Sequence, residues 1–224
     1  MRQLPHASWY NTALRSSAEL DAAFEQTRAL GLNPHPDYAK NWDHLAALDF
    51  ILSHAGRDAC ILDAGADQAS RILPWLEAYG YKRLFGINPV FESPYVRGSV
   101  QYLPGSIEST GFDGSEFDVV TCMSVLEHGV SEDLYFRETS RILKPGGYLI
   151  TSTDYYPQPI DTSGKVAFGV PIKVFSEADI ARLLSLADKC GLAPEGHIQF
   201  ECVEKPISWK GLRYSFIIFV LRKL

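Results

Sequence analysis

The strongest constraint on this chain is an alternation that runs through most of its length. Short apolar runs, "ACILDAG", "RLFGINP", "SVQYLPGSI", "FDVVTCM" and "GGYLITSTD", are separated by helix-like stretches such as "ASRILPWLEAYG" and "EDLYFRETSRIL". Strands divided by helices predict βαβ units, hence an α/β fold with a doubly wound, mainly parallel sheet covered by helices on both faces. In such sheets ligands collect at the carboxyl ends of the strands. After "SEADIARLLSLADKCGL", a helix expected to be capped by Ser176, the chain closes with "HIQFECVEKPISWKGLRYSFIIFVLRKL". That stretch predicts two strands with a Pro/Gly-bearing connection, an antiparallel hairpin at the edge of the sheet.

The first forty residues have a different character. Leu14, Leu20, Phe24 and Leu30 lie at loosely helical spacing before Gly31, Pro34 and Pro36, which predicts an N-terminal helix outside the main core. We therefore divide the chain into an N-terminal helical extension or lid, residues 1–40, and one main domain, residues 41–224. The main domain is expected to open with a helix near Asn41 that carries Trp42, Leu45, Leu48, Ile51 and Leu52 on one broad face and ends about Gly56.

Composition narrows the function classes. A net charge of -6, with no basic run to follow a phosphate backbone, argues against nucleic acid as a partner. No stretch approaches the roughly 20 apolar residues of a membrane span, and the N-terminus lacks a signal-peptide core, so a cytoplasmic protein is expected. Cys60, Cys122, Cys190 and Cys202 are widely spaced without a C-x-x-C pair, which predicts reduced thiols and no metal site.

The turn after the first apolar run of the main domain carries the chemistry. A dinucleotide needs close backbone approach to its pyrophosphate at several positions, the reason for G-x-G-x-x-G. Here the turn reads G-A-D-Q-A-S, with Asp67 and Ala69 in place of later glycines. An anion at Asp67 disfavours NAD or FAD. S-adenosylmethionine has no phosphate and ends in a sulfonium and an ammonium, so close approach at Gly65 alone suffices and a carboxylate nearby is compatible.

"ILDAGAD", "FDVVTCMSVLEHGVSEDLYFRETSRILKPGGYLIT" and the order of elements resemble the class I S-adenosylmethionine-dependent methyltransferases, in the branch that acts on small molecules and glycans. The second segment is the more specific: a strand ending in F-D-V-V, an L-E-H turn, then a helix running through R-I-L-K-P-G-G into a strand. The resemblance covers residues 41–224 in outline and implies a Rossmann-like seven-stranded sheet with the last strand antiparallel. It also implies S-adenosyl-L-methionine as cofactor and a small-molecule or glycan unit as methyl acceptor, most simply at a hydroxyl. A non-catalytic binding or scaffold subunit on the same fold is the alternative that the altered glycine loop keeps open.

Position by position, the resemblance implies a cofactor site. Asp63 matches the acidic residue ending the first strand, and Gly65 with Ala66 the turn beneath the methionine part. Asn88 stands where an acidic residue usually grips the ribose, and Ser106 with Ile107 match the pair beside the adenine. Met123 and Ser124 line the inner wall. Each has a plainer role open to it: Gly65 as a helix-entry turn, Asn88 as a turn former before Pro89, Ser106 as surface loop. For catalysis, His128, a residue type whose unperturbed pKa lies near neutrality, is expected next to the cofactor wall, and Asp154 follows the fifth strand beside Tyr155 and Tyr156. The plainer roles are a turn-shaping pair with Glu127 for His128 and a solvated loop carboxylate for Asp154. "YYPQPIDTSGKVAFG" is a candidate cover for the acceptor.

Overall fold

The computed structural model describes residues 3–7 and 9–224; Met1, Arg2 and Ser8 of the expected extension lie outside the described residues. In chain order the elements are β1 (Thr12–Ala13), α1 (Ser17–Ala29), α2 (Lys40–His54), β2 (Cys60–Ala64), α3 (Ile72–Ala78), β3 (Arg83–Asn88), β4 (Tyr95–Arg97), β5 (Val100–Pro104) and β6 (Phe117–Met123). A short 3-10 turn (Leu126–His128) follows, then α4 (Glu132–Ile142), β7 (Leu143–Tyr155), β8 (Val166–Ala167), β9 (Val170–Pro171), α5 (Glu177–Lys189), β10 (Leu192–Pro194), β11 (Ile207–Trp209) and β12 (Leu212–Lys223).

The sheet runs β5-β3-β2-β6-β7-β12, with β10 on the far side of β12. The first five strands are mutually parallel, β12 is antiparallel to β7, and β10 is antiparallel to β12. These seven strands are the expected doubly wound sheet. Three short strands extend it to ten among the described residues: β4 beside β5, and β1 and β11 beside β12.

Each face has its own core, and strand alternation divides the side chains between them. In β12, Phe216, Ile218 and Val220 join the core under α1, α2 and α3, while Ile217, Phe219 and Leu221 join the one under α4 and α5. A strand buried on both faces reads as a continuous apolar run, which is why "SFIIFVL" does not alternate. Each of these six side chains contributes about 1.5–3 kcal/mol by leaving water.

Local chemistry sets the helix starts. Ser176 caps α5: its hydroxyl accepts from Asp179 N at 3.2 Å while Asp179 Oδ2 accepts from Ser176 N at 2.9 Å. Pro74 sits in the first turn of α3, where a missing N–H interrupts no helical bond.

Two expectations are corrected. The N-terminal helix is not outside the core: Leu20 and Ala23 of α1, with Leu30 after it, pack into the same cluster as Trp42 and Leu45 of α2. Nor is the C-terminal hairpin drawn as expected. Its first arm is β11, its turn is Lys210–Gly211, and β12 lies inside the sheet because β1 and β10 cover its outer side. The segment 197–202 instead touches β1 through a single bridge between Thr12 and Gln199. Among the described residues no helix is long and apolar enough to cross a membrane.

Candidate active site

The carboxyl ends of β2, β3 and β6 converge around Asp63. Its carboxylate is buried and accepts from Thr121 Oγ1 at 2.7 Å and from Ser70 Oγ at 2.8 Å, tying the loop after β2 to the neighbouring strand. Burial, only partly offset by these bonds, pushes its pKa up to about 6. Gly65 follows with φ +90°, and its N–H donates to Ile87 O at 2.8 Å. Ala66 packs against β3 so closely that a Cβ on Gly86 would lie 2.9 Å from the Ala66 Cβ. Asp67 turns inward upon its own loop, accepting from Ala69 N at 2.7 Å and Ser70 N at 2.6 Å. This explains how the turn survives without its later glycines: the carboxylate closes it by capping two N–H groups.

The remaining cofactor candidates flank this loop. Asn88 Nδ2 donates to Gly65 O at 3.3 Å and its Oδ1 accepts from Val90 N at 3.0 Å, so it serves as the turn former and as a link to the glycine loop. Gly105 N donates to Asn88 O at 3.3 Å, which sets Ser106 and the buried Ile107 beside the end of β3. Ser106 Oγ accepts from Glu108 N at 3.2 Å within its own turn. Met123 ends β6, and Ser124, with φ +56°, donates its N–H to Ser152 O at 2.9 Å. The structure thus brings all eight residues expected for a cofactor to adjoining strand ends.

A second polar group adjoins the first, built by α2, the 3-10 turn, β7 and β12. Lys40 Nζ donates to Ser124 Oγ and lies 3.9 Å from the centroid of the Phe216 ring. Asp43, fully buried, is bound to His44 Nδ1 at 2.8 Å and accepts from Ser152 Oγ at 2.7 Å. Burial works to raise its pKa, but His44, Lys40 and Ser152 together bring it below the ordinary carboxylate value. Glu127 Oε2 accepts from Thr153 Oγ1 at 2.9 Å, and burial raises its pKa against the field of Lys40. Asp154 is the last-but-one residue of β7, only 7% exposed, which corrects the reading of a solvated loop carboxylate. Its pKa is pushed up to about 7 by burial and by the charge of Glu127, against Lys40, Tyr214 and His128. His128 has its pKa lowered by burial, and its Nδ1 is buried without a partner among the described residues. Phe168, at the tip of the β8–β9 hairpin and 91% exposed, meets the His128 ring edge-on at 5.1 Å. The "YYPQPIDTSGKVAFG" stretch thus reaches the His128 end of this polar group.

Sequence reasoning missed Lys40, Asp43, His44 and Tyr214, and gave Glu127 only a turn-shaping role. A signal was present in "KNWDHLAAL": ionisable residues in an otherwise apolar helix must be paired or functional when that helix is buried.

The N-terminal segment contributes a strap. Arg71 Nε donates to Pro34 O at 3.2 Å and Trp75 Nε1 to Asn33 O at 2.9 Å, while the His35 ring lies 5.0 Å from that of His44. Residues 33–37 therefore run beside the start of α3 and α2. The aromatic residues of the N-terminal segment pack on helical neighbours: Tyr10 on Phe50 at 4.9 Å, Tyr38 on Phe24 at 4.7 Å, while Trp9 Nε1 donates to Trp42 O at 3.1 Å.

Comparison with known proteins agrees with this geometry. Residues 62–151 match the family model described as a methyltransferase domain. Among solved structures, an S-adenosylmethionine-dependent methyltransferase from Mesorhizobium loti is similar, with a TM-score of 0.60 and 18% identity over 83% of this chain and 98% of that one. A Burkholderia thailandensis 1,6-didemethyltoxoflavin-N1-methyltransferase, solved with 1,6-didemethyltoxoflavin and S-adenosylhomocysteine, gives 0.56 and 18% over 94% and 91%. Among curated proteins, a ubiquinone biosynthesis O-methyltransferase from Xanthomonas oryzae pv. oryzae is 41% identical over 71 residues, 32% of this chain and 27% of the relative. The matched stretch is thus about a quarter of that relative's length. The solved structures show the fold: the chain has the class I S-adenosylmethionine-dependent methyltransferase fold, and residues 62–151 are the part similar to the methyltransferase-domain model.

Proposed function

We propose that this protein is an S-adenosylmethionine-dependent methyltransferase that methylates a hydroxyl of a small molecule or glycan unit. One observation supports the reading: a tight loop closed by Asp63 and Gly65 adjoins a buried group of proton-accepting side chains at the same strand ends.

The loop residues fit the cofactor. Gly65 and Asn88 set the loop against the end of β3, Asn88 Oδ1 keeps a lone pair for a ribose hydroxyl, and Ser106 with Ile107 border the adenine. Met123 and Ser124 form the inner wall. Bound there, the cofactor supplies an electrophilic methyl group on a sulfonium.

Transfer to an oxygen is an in-line displacement, so the chain's work is alignment, exclusion of water and removal of one proton. Asp154, with its pKa near neutrality, accepts that proton, and His128, neutral at pH 7, orients the hydroxyl or shares it. Phe168 closes the acceptor side. Similarity of a short stretch to ubiquinone biosynthesis O-methyltransferases supports a hydroxyl acceptor. The net charge of -6 fits a partner other than nucleic acid, and four unpaired cysteines fit a reducing cytoplasmic setting.

The test is incubation of the full chain with methyl-labelled cofactor and a panel of phenols, catechols and sugars. Label appearing in a product ether, and lost on Asp154→Asn, supports the reading. Label on nitrogen or carbon alone overturns the hydroxyl assignment.

A further inference from the structure

The tip of the β8–β9 hairpin carries a side chain that neither its turn nor its packing calls for. Phe168 and Gly169, the two central residues, both have positive φ, +51° and +81°. Two-residue hairpin turns of this kind favour Asn-Gly, because the left-handed region is costly for a bulky residue. Phenylalanine stands there instead, with its ring 91% exposed. Behind it Val166 and Pro171 are cross-strand partners and both exposed, so the hairpin presents apolar side chains from base to tip.

Four cations lie at and beside the base of this hairpin. Lys165 Nζ donates to Lys210 O at 2.8 Å and Lys210 Nζ to Val166 O at 2.8 Å, which ties the hairpin to the turn between β11 and β12. Arg213 Nη2 donates to Lys205 O at 3.2 Å, and Lys205 Nζ lies 4.1 Å from the centroid of the Tyr156 ring, where the stretch leading to the hairpin begins. Among the described residues none of these four pairs with a carboxylate oxygen within 4.0 Å. Two nearby acids are engaged in other bonds: Glu204 Oε2 accepts from Ser17 N at 2.9 Å, at the start of α1, and Asp161 Oδ1 from Ser163 N at 2.9 Å.

We infer that this face docks on an anionic membrane surface: Phe168, with Val166 and Pro171 behind it, enters the boundary of the acyl layer, and Lys165, Lys205, Lys210 and Arg213 meet the lipid headgroups. The chain carries a net charge of -6, so it is this local cluster and not total charge that draws it to such a surface and fixes the face that approaches. Cations alone would suit any polyanion. The apolar hairpin decides between them, because a lone ring flanked by aliphatic side chains has an acyl layer to enter, whereas single-stranded nucleic acid calls for a row of aromatic faces on which successive bases stack. Docked this way, Phe168 brings the His128 end of the polar group to the bilayer, since the two rings meet edge-on at 5.1 Å.

The test is co-sedimentation of the full chain with vesicles of phosphatidylcholine alone and of phosphatidylcholine mixed with phosphatidylglycerol. The parent is expected to pellet with the anionic vesicles and not with the neutral ones, and less as salt rises. Phe168→Asn suits the turn, so circular dichroism should show a folded chain while vesicle partition falls by about tenfold. Lys205→Gln leaves both ties between hairpin and turn in place and is expected to lower partition by about fivefold. Lys82→Gln, just before β3 at the opposite ends of the strands, serves as the control and should partition like the parent. No sedimentation with anionic vesicles, or equal sedimentation of parent and Phe168→Asn, overturns the proposal, and equal sedimentation with neutral and anionic vesicles overturns the role of the cations. Binding of oligouridylate without binding of vesicles would assign the face to nucleic acid instead. Sedimentation needs neither cofactor nor acceptor, so its outcome is independent of the methyltransferase reading.

Discussion

A Cβ built on Gly65 would lie 2.3 Å from Cγ2 of Val125, so the loop after β2 and the segment after β6 meet at a distance only glycine allows. The φ of +90° at Gly65 adds a backbone penalty for any other residue, of about 1–2 kcal/mol. Gly65→Val should therefore lose S-adenosylhomocysteine binding by tenfold or more (about 1.4 kcal/mol or more) while circular dichroism shows a folded chain. Val125→Ala should recover part of the loss in Gly65→Ala, because it removes the contact and leaves the φ penalty. Calorimetry on the double variant decides this; no recovery would mean the contact is not what excludes a side chain.

Asp67 gives a contrasting expectation. Its carboxylate caps Ala69 N and Ser70 N rather than facing outward. Asp67→Asn keeps an accepting oxygen and should change cofactor affinity less than twofold (about 0.4 kcal/mol), with the same salt dependence as the parent, whereas Asp67→Ala loses both caps and should lower stability by about 1 kcal/mol. Isotherms at low and high salt, with urea unfolding, test the pair; a salt-dependent loss in the Asn variant would show the charge acting on the ligand.

Asp63 makes stability depend on pH in a defined direction. Its pKa rises from 3.8 unfolded to about 6 folded, so the folded chain binds the proton more tightly. The contribution is greatest below about pH 4 and falls as pH rises through about 6, by roughly 3 kcal/mol at most. Asp63→Asn does not ionise, so its stability relative to the parent should improve between about pH 4 and pH 7. Urea unfolding at those two pH values measures it, and an unchanged difference would contradict the burial argument.

For catalysis, methyl transfer should rise with pH through about 7 as Asp154 loses its proton. Asp154→Asn should remove that limb and lower kcat by roughly 100-fold or more, with KM less affected. Phe168→Ala should raise acceptor KM with little change in kcat. A pH–rate profile that survives Asp154→Asn would move the base elsewhere, with His128 next in place.

The strap gives a fifth expectation. Arg71→Ala removes the bond to Pro34 O, leaving Trp75, through Asn33 O, and Asn41, whose Oδ1 accepts from His35 N at 2.8 Å, to hold residues 33–37 near the loop after β2. Cofactor release should quicken severalfold while thermal stability stays nearly unchanged, which stopped-flow displacement and a melting curve read together. Unchanged release would separate the strap from the site.

Much of this architecture was legible because its signals are local. The runs around Cys60, Arg83 and Phe117 bury both faces and so announce parallel strands, and Ser176 with Asp179 spells a capping box. The positions of Asp63, Gly65, Asn88 and Ser124 were legible for the same reason: each lies at or just after the end of a strand. The polar group around Lys40 was not, since Lys40 meets Ser124 across 84 residues of sequence and Asp43 meets Ser152 across 109. Such pairings follow from how α2 lies on the sheet, and nothing local encodes that. Asp67's capping of Ala69 N and Ser70 N was not legible either, because those bonds depend on the turn's conformation.

Isothermal titration calorimetry of the full chain with S-adenosylhomocysteine and NAD in parallel tests the central claim most directly. The account predicts saturable one-to-one binding of S-adenosylhomocysteine, abolished by Gly65→Val, and none of NAD. Binding of NAD, or an S-adenosylhomocysteine isotherm indifferent to Gly65→Val, would contradict it.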